Sequence, residues 1–583
     1  MNRLSIFLLA LFVMAGAACA NWEFVDVTDQ FDPSPRAASA VAWGDFDRDG
    51  DLDLFVGGTA HCASALYAND GNHYVDVTPY IEPPWIFETV LHAEFVDYDA
   101  DGMLDLFVVT DGMESLRLFR QTSADHFENV PLTLGLDFTE PPRSTLWTDA
   151  DGNGTLDLVL SNGVTSDAPM TVLAQEQSEF VEMRDNPFVD DVTGVGAMTL
   201  VDYDRDGDLD MFCGAFDPEE PPHFYRNENG VYRDWAQQFG FPMKLGRHGA
   251  VWLDYNNDQR LDLFVPGDAE RTMLFRGAYV HGHQGLQPAQ GFDDFLLEAA
   301  DAVYAHAVDA NMDGWTDLFV VKDQGRGCAL FTNDSGRRWN NRAPALGLTN
   351  DRYDNRACAW GDMDGDGDLD LALAQGENGL KVYRNDVQQN HEYVVLNLMS
   401  HDGARALPNC DVHMMFQRCK QIATTSHKLS SAGSDQSSVL IVNTSTMKSS
   451  WVDLTIRWPN GIVSHYDQND LTLWTSNTLY EPVLTQPAEP VTSADAEAPL
   501  VMSVGPNPFN PSTTISFSLL DAAEVSLSIY NLMGQEVATL ARGPYAAGVH
   551  RVTFNAGELP SGIYLSRLTA GEATQVHRML LTR

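Results

Sequence analysis

Five aspartates stand at alternate positions in "GDFDRDGDLDLFV", residues 44–56: Asp45, Asp47, Asp49, Asp51 and Asp53. Two carboxylates about 4 Å apart repel by roughly 1 kcal/mol in water and by about 4 kcal/mol at an effective dielectric of 20. Such crowding is tolerable where a positive charge offsets it. The stretch occurs seven times, with later acidic runs opening at Asp97, Asp149, Asp202, Asp254, Asp309 and Asp362. Counted from the first Asp, side-chain oxygens fall at positions 1, 3, 5 and 9 of every copy. These are Asp45, Asp47, Asp49 and Asp53 in the first copy and Asp97, Asp99, Asp101 and Asp105 in the second. The third has Asp149, Asp151, Asn153 and Asp157, and the fourth Asp202, Asp204, Asp206 and Asp210. The fifth has Asp254, Asn256, Asp258 and Asp262, and the sixth Asp309, Asn311, Asp313 and Asp317. The seventh has Asp362, Asp364, Asp366 and Asp370. Position 6 is Gly in six copies (Gly50, Gly102, Gly154, Gly207, Gly314 and Gly367) and Gln259 in the fifth.

The chemistry open to such a loop is the binding of a hard cation. Ca²⁺ takes about six to eight oxygens in flexible geometry, and a turn rich in carboxylates supplies most of them. The layout is similar to the first part of an EF-hand loop. Position 12 is nevertheless apolar (Val56 in the first copy), and the Asp at position 9 takes the closing role. The loops hold 28 of the 83 acidic residues. Solvated Asp/Asn/Gly turns that merely link strands would account for one such loop, but not for seven in register. The expectation is up to seven Ca²⁺ ions, with the fifth loop the weakest because of Asn256 and Gln259.

The elements that position these loops repeat with them. Successive copies are 52, 52, 53, 52, 55 and 53 residues apart, a period that marks a repeat architecture. An apolar strand leads in, often with an aromatic two residues before the first Asp (Trp43, Phe95, Trp147, Trp252, Trp360). After the turn come "LDLFV" or a variant, then a strand such as "RLFRQ" or "HFYRN", then one such as "HYVDVT". Four short strands per unit describe one blade of a β-propeller. The predicted fold is all-β: a seven-bladed β-propeller over 21–390 with calcium-binding turns, followed by two small β domains. The seventh unit ends at "KVYRND" without its last strand, and "WEFVDVT" at 22–28 matches the missing piece. That strand is expected to close the ring and cover two open sheet edges.

On these motifs the repeats resemble FG-GAP/VCBS units, the calcium-loop blades of integrin α-subunit propellers, over residues 22–386. The resemblance implies adhesion or recognition more often than catalysis. Residues 391–485 read as alternating strands, and "VDLTIRWPNGIVSHY", with Trp458-Pro459-Asn460-Gly461 at its core, is similar to the ASPIC/UnbV domain. Gly403-Ala404-Arg405 matches part of that family's upstream signal, but "ALPNCDVHMM" follows where the family runs straight into a strand. Residues 486–498, "QPAEPVTSADAEA", read as a linker. Residues 499–583, with "NPFNPST", "YNLMGQEV" and "GIYLSRL", form a small β-sandwich pattern. It resembles the C-terminal sorting domains of type IX secretion and the related FlgD-like Ig module. The resemblance implies that outer-membrane secretion machinery reads the tail.

Charge and composition narrow the partners. With 83 Asp+Glu against 35 Lys+Arg the net charge is −48, which excludes a basic footprint for nucleic acid. "MNRLSIFLLALFVMAGAACA" has a basic start, an apolar stretch and a small-x-small site, and reads as a signal peptide over 1–20. Cys19 offers an alternative reading as a lipoprotein cysteine. No other segment nears the ~20 apolar residues of a membrane helix. Six cysteines follow (Cys62, Cys213, Cys328, Cys358, Cys410 and Cys419) without zinc spacing, and Cys213 and Cys358 fall in apolar strands as buried thiols. No G-x-S-x-G, H-E-x-x-H, Walker or dinucleotide motif stands in suitable context, so the chain is not read as an enzyme. Six residues before each first Asp, Arg143, His248 and Arg356 would rim one mouth of a propeller and favour an anionic ligand. The expected function is a secreted or cell-surface binding module for an extracellular protein or glycan. The alternative is a lyase-like enzyme acting on an extracellular polysaccharide.

Overall fold

The computed structural model describes the residues from Trp22 to Leu581. Excepted are 32–36, 72, 83–87, 100, 113–114, 131–140, 151–152, 154, 162–169, 177–178, 184–194, 205–208, 216–220, 229–230, 242–249, 259, 268–270, 281–282, 323–325, 349–353, 388–392, 400–409, 417–419, 426–432, 436–438, 444–450, 458–462, 467–475, 481–499, 506–511, 520–522, 532–535, 546–547, 558, 560–561 and 571–572. The signal peptide, the linker, Cys419, Gly403-Ala404-Arg405 and Trp458-Pro459-Asn460-Gly461 all fall outside the described residues. So do Asp151, Asp206, His248 and Gln259.

Each acidic loop joins the first two strands of one antiparallel sheet, and its position-9 Asp opens the second strand. In the first sheet these strands are Ala40–Gly44 and Asp53–Gly57, followed by Ala65–Asn69 and Tyr74–Asp76. The same order recurs in six further sheets, whose second strands begin at Asp105, Asp157, Asp210, Asp262, Asp317 and Asp370. Short β-rich apolar runs bounded by Asp/Gly turns force this meander, because neighbouring strands in sequence reach each other with the least loop-closure cost.

Every sheet buries both faces against its neighbours. Phe55, Phe95 and Phe119 join the first and second sheets, and Phe107, Trp147 and Leu158 the second and third. Clusters around Met198 and Met211, around Phe224 and Trp252, around Phe264 and Phe331, and around Phe319 and Trp360 continue the series through the seventh sheet. Trp43, Val56, Ala359 and Ala372 then join the seventh sheet back to the first. The aromatic that stands two residues before five of the loops is thus a wedge between sheets: Trp147 meets the Phe107 ring edge-on at 5.3 Å, and Trp360 meets Phe319 at the same distance. This is a β-propeller.

The outer strand of the seventh sheet is Trp22–Asp26, paired antiparallel with Leu380–Val387 from Trp22↔Val387 to Asp26↔Tyr383. The Trp22 indole Nε1 donates to Asn385 Oδ1 at 2.8 Å, and Lys381 Nζ meets Asp26 Oδ2 at 2.6 Å. At the opposite, inner edge of the first sheet lies a strand that the sequence does not foretell. Gly433–Asp435 pairs in parallel with Val41–Trp43 and also lies against Val90–Val96 and Ala357–Gly361.

Among the described residues the remaining regular structure is also β, apart from two single-turn 3-10 helices, Thr28–Gln30 and Thr78–Tyr80, and a short α-helix, Asp293–Glu298, between the fifth and sixth sheets. Apart from Gly433–Asp435, the described strands between Tyr393 and Tyr480 form a three-stranded and a four-stranded sheet, with Tyr393–Met399 paired in parallel to Ser476–Tyr480. Residues 500–581 form a second compact unit, a three-stranded and a four-stranded sheet closed over Ile515, Leu527, Ile529, Phe554 and Leu568. Cys213, Cys328 and Cys358 are buried thiols outside any disulfide, and Cys62 is half-buried and likewise unbridged. Among the described residues no helix is long and apolar enough to cross a membrane.

Candidate metal centres

The loops are built by two sets of hydrogen bonds. The first centres on position 9. Asp53 Oδ2 accepts from the Phe46 amide at 2.9 Å and its Oδ1 from the Asn69 amide at 2.8 Å. Asp105, Asp157, Asp210, Asp262 and Asp370 repeat this, each taking the amide of position 2 at 2.8–3.2 Å and an amide of the third strand at 2.7–2.9 Å. Asp317 takes the Asn333 amide at 2.8 Å in the same way. All seven carboxylates are fully buried. Position 9 is therefore a staple that fastens the turn and the second strand to the third, a role beyond the closing-ligand role read from the sequence. Asp262→Ala strips three hydrogen bonds, from the Tyr255 and Gly277 amides and from Asn256 Nδ2, each worth about 0.5–1.5 kcal/mol net. The protein should then lose stability even in chelator, as read by urea unfolding. A loss seen only with metal present would reject the staple role.

The second set consists of turns within the loop. Position 1 accepts from the position-6 amide, as in Gly50 to Asp45 at 3.1 Å and Gly314 to Asp309 at 2.8 Å. Position 5 accepts from position 7, as in Asp51 to Asp49 at 3.0 Å and Trp315 to Asp313 at 2.9 Å. Short Asp and Asn side chains suit this bonding to the backbone just ahead of them. The curl needs left-handed backbone at position 6, where φ is +98° at Gly50 and +95° at Gly367. Position 4 is left-handed too, at Arg48, Asn257, Met312 and Gly365.

The curl brings carboxylates together. Oxygens of Asp45, Asp47 and Asp53 lie within 4.8 Å of one another, as do those of Asp202, Asp204 and Asp210 and those of Asp362, Asp364 and Asp370. In the second loop the gathered set is Asp97, Asp99 and Asp101. In the fifth and sixth loops an amide replaces one carboxylate, Asn256 and Asn311 respectively. Burial and the neighbouring Asp49 push Asp45 up to about 6, and burial holds Asp53 at about 8 and Asp105 at about 9. Burial and then the Asp366 carboxylate raise Asp362 to about 7. Asp45 Oδ1 and Asp362 Oδ1 are buried and receive no hydrogen bond. Convergent, desolvated oxygens with unused lone pairs fit a cation, so these clusters could hold metal ions.

Of the charged rim read from the sequence, His248 lies outside the described residues, and Arg143 and Arg356 stand at corresponding places in their sheets. Arg143 stands just before the inner strand of the third sheet, with its amide directed to Ser161 O at 3.3 Å. Arg356 precedes the inner strand of the seventh sheet and pairs through Nε with Asp354 Oδ2 at 2.8 Å. Arg117, on the third strand of the second sheet, is a buried cation missed by the sequence reading, and it pairs with Glu88 at 2.7 Å. Also missed were the strand arginines Arg120, Arg226 and Arg276, which reach into the loops. Their signal was present in "RLFRQ", "HFYRN" and "LFRGA", where Arg follows an aromatic.

Known proteins share these features. Residues 97–160, 184–265 and 309–373 match the FG-GAP-like repeat, and residues 503–582 match the secretion system C-terminal sorting domain. Cartilage acidic protein 1 of Mus musculus is 31% identical over 170 residues, which cover 27% of this chain and 26% of that protein. The Homo sapiens protein of the same name is 34% identical over 149 residues, 24% of this chain and 22% of the other. The chain thus spans about a quarter of the length of these relatives. Among solved structures, an Agrocybe aegerita lectin that recognises non-reducing terminal N-acetylglucosamine is 18% identical, with a TM-score of 0.35, over 57% of this chain and 81% of the lectin. The type IX secretion component PorZ of Porphyromonas gingivalis is 12% identical, with a TM-score of 0.18, over 94% of this chain and 81% of PorZ. At these scores neither bears on what this chain binds. The chain carries FG-GAP-like repeats on a β-propeller and a type IX secretion sorting domain at its C-terminal end, which makes it a secreted or cell-surface protein.

Proposed function

We propose that this protein is a calcium-stabilised propeller that binds an extracellular protein or glycan, serving adhesion or recognition and not catalysis. The observation that carries the calcium reading is the partly buried cradle: converging carboxylates within 4.8 Å, with the buried atoms Asp45 Oδ1 and Asp362 Oδ1 left without a donor. The donors are all oxygens, which suits a hard ion, and a loop made of turns suits the variable coordination of Ca²⁺ better than the strict octahedron of Mg²⁺. Asp45, Asp47, Asp53 and their counterparts in the other loops would hold the ions. The ion's role is structural: it supplies charge that lets the crowded acidic turns close, and so sets a rigid surface for a partner. The ASPIC/UnbV-like reading of 391–485 belongs to this proposal, supported by its two small sheets.

The binding reading is tested by presenting the purified secreted protein to glycan and extracellular-protein arrays, with Ca²⁺ and with chelator. Calcium-dependent retention on a ligand class supports it. Release of shortened, unsaturated fragments from a polysaccharide would replace it with the lyase reading.

Delivery is tested separately. A chain ending at Asp495 loses the whole C-terminal sandwich and keeps every propeller strand. In a type IX-competent host it should stay in the periplasm while the full chain reaches the surface, as read by protease accessibility on intact cells. Equal surface display of the two would reject sorting by the tail.

A further inference from the structure

The loops differ in where their nearest positive charge comes from. On the third strand, the residue before the stapled amide is Arg120, Arg226, Arg276 or Arg384 in the second, fourth, fifth and seventh sheets. It is Ala68, Ala174 or Thr332 in the first, third and sixth. Alternation along a strand places this side chain beside the loop of its own sheet. Arg120 Nε reaches Asp99 at 2.7 Å and its Nη2 reaches Asp101 at 3.0 Å. Arg226 reaches Asp204 at 2.8 Å. In the fifth loop both Arg276 and Arg260 reach Asp258 Oδ2 at 2.6 Å.

The remaining loops lack this service. In the first, Ala68 offers no charge, and Arg48 is exposed and forms no ion pair among the described residues. In the sixth, Thr332 leaves a cavity of about 280 Å³ lined by Asn311, Asp313, Trp315 and Thr332, on the side where the other sheets carry a guanidinium. In the seventh, Arg384 is drawn to Asp386 at 2.8 and 3.0 Å and stands 3.8 Å from Asp364.

We propose that the third-strand arginine is a built-in counter-ion that sorts the loops: the second, fourth and fifth close on a guanidinium, and the cation dependence of the propeller resides in the others. A guanidinium donating to position 3 or 5 uses the lone pairs a cation would need, and its charge repels a second positive ion on the same oxygens. The inference rests on the calcium reading above.

The test is calcium bound per full-length chain, measured by elemental analysis after dialysis, together with the melting shift caused by chelator. The wild type should hold fewer than seven ions. Arg120→Ala should gain one ion and a larger chelator shift. Ala68→Arg and Thr332→Arg should each lose one ion and show a smaller shift. The two additions keep the test decisive if Arg120→Ala fails to fold. Seven ions in the wild type, or counts unmoved by the additions, would overturn the sorting and leave the calcium reading standing. No ion in any variant would overturn both.

Discussion

Deleting residues 22–28 should abolish cooperative unfolding of the propeller and drive the protein to aggregate. Trp22–Asp26 is the fourth strand of the seventh sheet, and its loss uncovers the whole edge of Leu380–Val387. A bare strand edge pairs with other chains. The deletion also takes Phe24 from its edge-on contact with Trp360 at 6.1 Å, inside the core that joins the sixth and seventh sheets. Removing a buried Phe costs about 3–5 kcal/mol by itself, and the ladder hydrogen bonds and the Lys381–Asp26 pair go with it. In a ring each sheet leans on two others, so the damage is not confined to one blade. Size-exclusion chromatography and a thermal melt decide the matter. A monomeric deletion protein melting at the wild-type temperature would show that the ring does not depend on this closure.

Stripping metal ions should lower the melting temperature by on the order of 10 °C or more at pH 8. Each site at a hundredfold excess over its Kd contributes roughly 2.7 kcal/mol, and several sites act on one cooperative unit. Ca²⁺ should restore the melt and Mg²⁺ only poorly. The pH dependence of the metal-free protein follows from the raised carboxyls. Asp45 at about 6, Asp362 at about 7, Asp53 at about 8 and Asp105 at about 9 all lie above the ordinary value near 3.8. The folded state then binds more protons than the unfolded one, so stability is greatest at low pH and falls as pH rises from about 4 through these values. Calcium replaces those protons, so its stabilising effect should be smaller at pH 5.5 than at pH 8, and its addition at pH 6.5 should release protons into a weak buffer. A chelated protein that melts as the loaded one does, at both pH values, would reject the metal reading.

Much of the fold was legible in the sequence because the repeat is written in short-range interactions. The turns within an acidic loop are bonds that span two to five residues, as in Asp51 to Asp49 and Gly50 to Asp45. Asp/Asn spacing and Gly at position 6 fix them regardless of surroundings. Strand and turn lengths followed from the same local grammar, and the missing last strand of the seventh unit pointed to "WEFVDVT" at the other end of the chain.

What lies across strands was decided by the tertiary structure alone. The staple reads in sequence as one more ligand, yet Asp53 reaches Asn69, 16 residues on, and Asp210 reaches Asn227, 17 residues on. Whether a loop is served by a guanidinium depends on which strand lies beside it and which way its side chains point, as Arg120 with Asp99 and Thr332 with its cavity show. Arg143 and Arg356 hold equivalent places in the repeat but stand at different sheets, each with its own local partner. Gly433–Asp435 finds Val41–Trp43 across almost four hundred residues. Local pattern specifies a turn and a strand by backbone preference. Partners brought together by ring closure are chosen by packing and charge in three dimensions, which no spacing along the chain encodes.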